Sequence, residues 1–81
     1  MKTEYKHIHF DDISYSYPTR KTKSFACRSN NTDTPLGDIQ WERAWRQYCF
    51  FPVHLTVFSK GCLNDIADFI KQLMDERKKK G

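Results

Sequence analysis

The residues of this 81-residue chain best suited to metal or nucleophilic chemistry are its three histidines and three cysteines. His7 and His9 alternate, which puts both imidazoles on one side of an extended strand. His54, Cys27, Cys49 and Cys62 offer further nitrogen and sulfur donors. Their spacing is irregular, no Cys-x-x-Cys pair occurs, and Cys27 and Cys62 fall where small packing residues belong, so a zinc site is not assigned. A cysteine nucleophile needs a base held against it, and no histidine is paired with a thiol in the sequence. Asp11-Asp12, and Asp65 with Asp68, read as surface carboxylates or partners of a helix N-terminus rather than as an acid–base dyad. No catalytic residue, metal ligand or cofactor is assigned, and the expectation is a protein that is not an enzyme.

Binding chemistry is better represented. Arg20, Lys21, Lys23 and Arg28 occupy a stretch with no acid between Asp12 and Asp33. Arg46 adds a cation beside Trp45, and Trp45, Phe51 and one of Tyr15 and Tyr17 fall off the regular core pattern. Rings of this kind beside cations can stack nucleobases while the cations hold phosphates. The same rings could instead fill a small core or a subunit interface. The net charge of +4 equals the contribution of Arg77, Lys78, Lys79 and Lys80, and without those four the chain carries ten cationic and ten acidic side chains. That basic tail either reaches an anionic partner or simply complements the negative end of a helix.

These side chains must be positioned by one small domain spanning residues 1–81, since a chain of this length buries only about 60% of its unfolded surface and leaves little room for a large cleft. Aromatic residues make up 15% of the chain, so the core relies on rings more than on aliphatic bulk. No apolar run approaches a membrane span, and the mixed charges of Met1 to Phe10 do not read as a signal peptide. An odd cysteine count without close spacing fits a reducing compartment, and the expected location is the cytoplasm.

The organising stretch is Leu36 to Pro52, LGDIQWERAWRQYCFFP. Ile39 alternates with Trp41, and Tyr48 with Phe50, the period of two strands that each bury one face. A four-residue connection over Glu42 to Trp45 would set Trp41 opposite Arg46, Ile39 opposite Tyr48 and Gly37 opposite Phe50. Upstream, Tyr5 to Ile13 and Lys23 to Ser29 read as strands, separated by a long loop over Ser14 to Thr22. Pro52 ends the fourth strand and Val53 to Phe58 crosses over. From Ser59, a helix cap, the residues Leu63, Ile66, Ala67, Ile70, Leu73 and Met74 recur as one helical stripe. The expected architecture is α+β: a four-stranded antiparallel sheet with one C-terminal helix packed on one face, in the order ββββα. Residues 1–4 and 77–81 are expected to be disordered ends.

The series Leu36-Gly37-x-Ile39-x-Trp41, Trp45-Arg46-x-Tyr48-x-Phe50-x-Pro52, Thr56-x-Phe58 and Cys62-Leu63-x-x-Ile66-x-x-Phe69-Ile70 resembles a family of small, mostly uncharacterised proteins from phages and mobile elements. The likeness covers Leu36 to Leu73. It implies origin and a compact sheet-and-helix fold, and it carries over no catalytic residues. In architecture alone, four antiparallel strands and a helix also resemble the coactivator-like single-stranded DNA-binding proteins, which pair as dimers.

The function expected on these grounds is a small non-enzymatic binding protein of phage or mobile-element type. It would inhibit or modulate a host nucleic-acid-handling machine, such as a CRISPR or other defence nuclease, through Arg20, Lys21, Lys23, Arg28, Arg46, Trp45 and Phe51. Its partner would be a host protein or nucleoprotein complex, and no membrane. The alternative is a homodimer that binds single-stranded nucleic acid, and a third reading is a structural or assembly protein that associates with itself.

Overall fold

Alternation, a proline stop and a capped amphipathic run lead the chain into β1 (Ile8–Asp12), a 3-10 turn (Ser14–Ser16), β2 (Phe25–Ser29), β3 (Pro35–Glu42), β4 (Gln47–Pro52) and α1 (Lys60–Lys80). The structure is a computed structural model that describes residues 1–80. The four strands form one antiparallel sheet in the order β1-β2-β3-β4, so the ββββα order stands as expected.

The buried cluster lies between one sheet face and α1. Ile8, Phe10, Phe25, Cys27, Ile39 and Tyr48 come from the strands and Ile66, Phe69 and Leu73 from the helix. Phe69 is central to it. Its ring stacks on Phe10 with centroids 4.1 Å apart and meets Phe25 edge-on at 4.9 Å. The stripe is therefore rotated from the expected one: Leu63 is 52% exposed and Ala67 is exposed, because a ring at position 69 fills the space over β1 and β2 that smaller residues would leave open. Ser59 starts the helix by accepting the Cys62 N–H on Oγ, at 3.2 Å.

Strand faces match the alternation, but the hairpin register differs. Trp41 pairs with Tyr48, Ile39 with Phe50 and Gly37 with Pro52, each partner two residues further on than expected. The turn is Arg43 to Arg46 rather than Glu42 to Trp45, and Arg46 takes the left-handed conformation (φ 54°) that closes it. Glu42 Oε1 holds the turn by accepting the Ala44 N–H at 3.1 Å. Gly37 is needed here, because a Cβ at that position would lie 2.6 Å from Phe50 Cζ and 2.7 Å from the Phe51 carbonyl oxygen.

The Phe10 N–H donates to the Thr3 carbonyl and the Tyr5 N–H to the Ile8 carbonyl, both at 2.9 Å, so the first residues line the outer edge of β1. The Gln72 side-chain amide brackets Lys2, accepting its N–H at 2.8 Å and donating to its carbonyl at 2.9 Å. Tyr5 Oη donates to Asp68 Oδ2 at 2.7 Å. Within the segment expected to be loose, residues 1–4, Lys2 is thus bonded to the helix and Thr3 to β1. At the other end α1 continues through Lys80, its cations complementing the helix C-terminus. Gly81, also in the segment expected to be loose, lies outside the described residues. Among the described residues no helix is long and apolar enough to cross a membrane.

Candidate nucleic-acid interface

Antiparallel pairing brings the β1–β2 loop, the β3–β4 turn and the C-terminal turns of α1 to the same end of the sheet. Leu73 is buried, and four residues on, one helical turn along the same stripe, Arg77 lies over Trp41 with its guanidinium carbon 4.1 Å from the ring centroid. Trp41 in turn meets Tyr48 edge-on at 5.3 Å. This stack joins the helix end to the hairpin.

Two grooves flank the β1–β2 loop. One, of about 380 Å³, is bordered by Lys21, Lys23, Tyr48, Leu73, Glu76 and Arg77. The other, of about 800 Å³, is bordered by Arg20, Lys21, Gln40, Trp41, Arg43 and Phe51, with Glu42 beside them. Lys21 and Thr22 belong to both, so the loop stands as a ridge between them. The cations Arg20, Lys21, Lys23, Arg43 and Arg77 outnumber the carboxylates Glu42 and Glu76, and among the described residues none of those five cations is in an ion pair. At the turn beside them Trp45 is 70% exposed, between exposed Arg43 and Arg46. Arg20 lies over Tyr17, 5.6 Å from its centroid, while Tyr15 is exposed.

Of the candidate residues, Arg20, Lys21, Lys23 and Phe51 line these grooves, and Trp45 and Arg46 project from the adjoining turn. Arg28 does not join them. It sits on the sheet face away from α1, where its Nε lies 3.5 Å from Asp11 Oδ2 and its Nη1 donates to the Asp33 carbonyl at 3.0 Å. The acid-free interval around Arg28 exists only along the chain: β1–β2 pairing and the Asn30–Thr34 turn bring Asp11 and Asp33 alongside. Arg43, Arg77 and Trp41 complete the site and lie outside the expected set. The sequence signal for Arg77 is its spacing from Leu73, and for Arg43 its place beside Trp45 in the connection.

The histidine and cysteine chemistry resolves differently. His9 Nδ1 lies 2.7 Å from Asn30 Oδ1, and since Asn30 Nδ2 donates to the Tyr5 carbonyl, the ring nitrogen must be the donor. The other nitrogen faces Asp33 at 3.4 Å and Asp11 at 3.6 Å. Among the described residues no three His, Cys, Asp or Glu side chains converge as metal ligands. All three cysteines are free, and burial, with the nearby Cys62 second, pushes the Cys27 thiol up to about 12. What the basic end offers is electrostatic attraction, guanidinium hydrogen bonds and exposed rings, which suit an extended anion with aromatic substituents.

The chain is 33% identical over 66 residues to a protein of Acholeplasma phage L2 described as "Uncharacterized 9.3 kDa protein", a match that covers 82% of this chain and 85% of that one. No protein-family model matches, and no solved structure matches.

Proposed function

The chain belongs to the family of small phage proteins that includes the Acholeplasma phage L2 protein, and on that premise we propose that it is a non-enzymatic binding protein that engages single-stranded nucleic acid through its basic, aromatic end. The observation that carries the reading is a set of cations, free of ion pairs among the described residues, along the two grooves and on the adjoining turn that exposes Trp45: Arg20, Lys21, Lys23, Arg43, Arg46 and Arg77. Phosphates lie along the ridge of Lys21 and Lys23 and against Arg77, and a base stacks on Trp45 or Phe51. In the infected cell this binding acts on a host nucleic-acid-handling machine, a CRISPR or other defence nuclease among them, by occupying the strand that the machine must hold.

Fluorescence anisotropy of labelled single-stranded DNA and RNA, titrated with the protein at two salt concentrations, tests the reading. If about four phosphates are neutralised, affinity falls by roughly 50-fold between 50 and 200 mM salt. Absence of binding at the lower salt overturns it. The protein-contact reading, in which the same end occupies the nucleic-acid-binding surface of the host machine itself, then takes its place and is tested by pull-down with defence nucleases expressed.

A further inference from the structure

The larger groove holds a feature that phosphate binding does not account for. Glu42 sets a carboxylate among Arg20, Lys21 and Arg43, where it opposes phosphates instead of attracting them. Among the described residues that carboxylate is in no ion pair with these cations. Its Oε1 accepts the Ala44 N–H at 3.1 Å, which fixes the head of the side chain and leaves lone pairs on both oxygens for a further donor.

Alternation places Gln40 on the same side of β3 as Glu42, and Phe51 on that side of β4, since Ile39 and Tyr48 are turned into the core. Phe51 pairs with Asp38 and Gln40 with Cys49, so Phe51 and Gln40 are diagonal neighbours across the hairpin. Phe51 is 43% exposed. Among the described residues no side-chain hydrogen bond involves Gln40. The groove therefore joins an open ring face, an uncommitted amide and an oriented carboxylate, with cations along its rim.

We infer that this groove is a nucleobase pocket that selects guanine, with Phe51 against the face of the base and Glu42 and Gln40 along its Watson–Crick edge. The inference rests on the single-strand reading of this end and adds a base preference to it. Guanine presents two adjacent donors on that edge, N1–H and the N2 amino group, followed by one acceptor, O6. A carboxylate accepts from both donors, and an amide N–H donates to O6. Adenine, cytosine and thymine each place at most one donor there with an acceptor next to it, and the carboxylate repels that acceptor. The edge is free only where the strand is unpaired, as the proposed function requires.

The test is fluorescence anisotropy with four labelled oligothymidylates that differ in one central base: guanine, adenine, cytosine or thymine. The guanine strand is expected to bind about tenfold more tightly than the other three, and a strand with hypoxanthine there, which lacks the N2 amino group, to fall between. Glu42→Gln keeps an oxygen for the Ala44 N–H but replaces an acceptor with a donor. It is expected to reduce the guanine preference to about threefold or less, while affinity for the all-thymine strand stays the same or rises. Gln40→Ala, which leaves the charge unchanged, is expected to reduce the preference as well. Equal affinity of the wild type for the four strands, or a preference that Glu42→Gln leaves intact, overturns the inference while the single-strand reading stands. Binding of none of the four overturns both.

Discussion

The Arg77 guanidinium carbon lies 4.1 Å above the ring of Trp41. This stack fixes the last turns of α1 against the hairpin and brings a helix cation to the groove that Lys21 and Lys23 border. Arg77→Ala should cost about 0.5–1 kcal/mol of stability, shift tryptophan emission to the red, and lower affinity for a single strand. Arg77→Lys should restore less than half of that affinity, because an ammonium lacks the planar face that packs on the indole. Emission spectra and anisotropy of the two variants check this.

Gly37 and Phe50 share a space that admits no further atom, since an added Cβ would lie 2.6 Å from the ring and 2.7 Å from the Phe51 carbonyl oxygen. Phe50 is also held edge-on by Phe58 at 5.2 Å, which limits how far its ring can retreat. Gly37→Ala is expected to destabilise the fold by about 1–3 kcal/mol through overpacking, and to lower the midpoint by about 4 °C or more. Thermal unfolding followed by circular dichroism measures it.

Arg28 separates local charge from available charge. Its ion pairs with Asp11 and Asp33 are solvent-exposed, so Arg28→Ala should change stability by no more than about 1 kcal/mol. It should also leave single-strand affinity and its salt dependence unchanged. Lys21→Ala with Lys23→Ala should reduce the salt slope by about 0.7 for each phosphate that the variant no longer neutralises. Parallel titrations of the two proteins at several salt concentrations distinguish them.

Tyr5 ties the N-terminal segment to α1, and its hydroxyl proton is held in place. Burial raises its pKa well above the ordinary 10.0, and the Asp68 carboxylate that accepts its hydrogen bond raises it further. A folded value above the unfolded one means that this contribution is fully present below pH 10.0 and is lost as pH rises through the higher folded value. Tyr5→Phe should therefore lower stability at neutral pH by about 1–2 kcal/mol, and make the alkaline decline above pH 10.0 shallower. Denaturant unfolding of both proteins across that range provides the comparison.

The faces of the strands and the existence of the helix are legible in the sequence because they follow from short periods: Ile39 with Trp41, Tyr48 with Phe50, and Ile66 with Leu73. The hairpin register is not, because it depends on which residue takes the left-handed position, and Arg46 does so without the Gly or Asn that usually marks it. The loop cations Arg20, Lys21 and Lys23 are visible as a local run. The commitment of Arg28 is not, since Asp11 and Asp33 reach it only through pairing across strands and a turn. Gln72 and Lys2 are 70 residues apart, and no local pattern announces their bond.

The most direct test of the basic end as the binding surface is an amide proton–nitrogen correlation spectrum recorded while a single-stranded oligonucleotide is added. Shift changes are expected at residues 20–23, 41–46, 51 and 73–77 and at the Trp45 indole, with His9, Asp11 and Arg28 unmoved. Changes centred on His9, Asp11 and Arg28, or none at saturating oligonucleotide, would contradict the account.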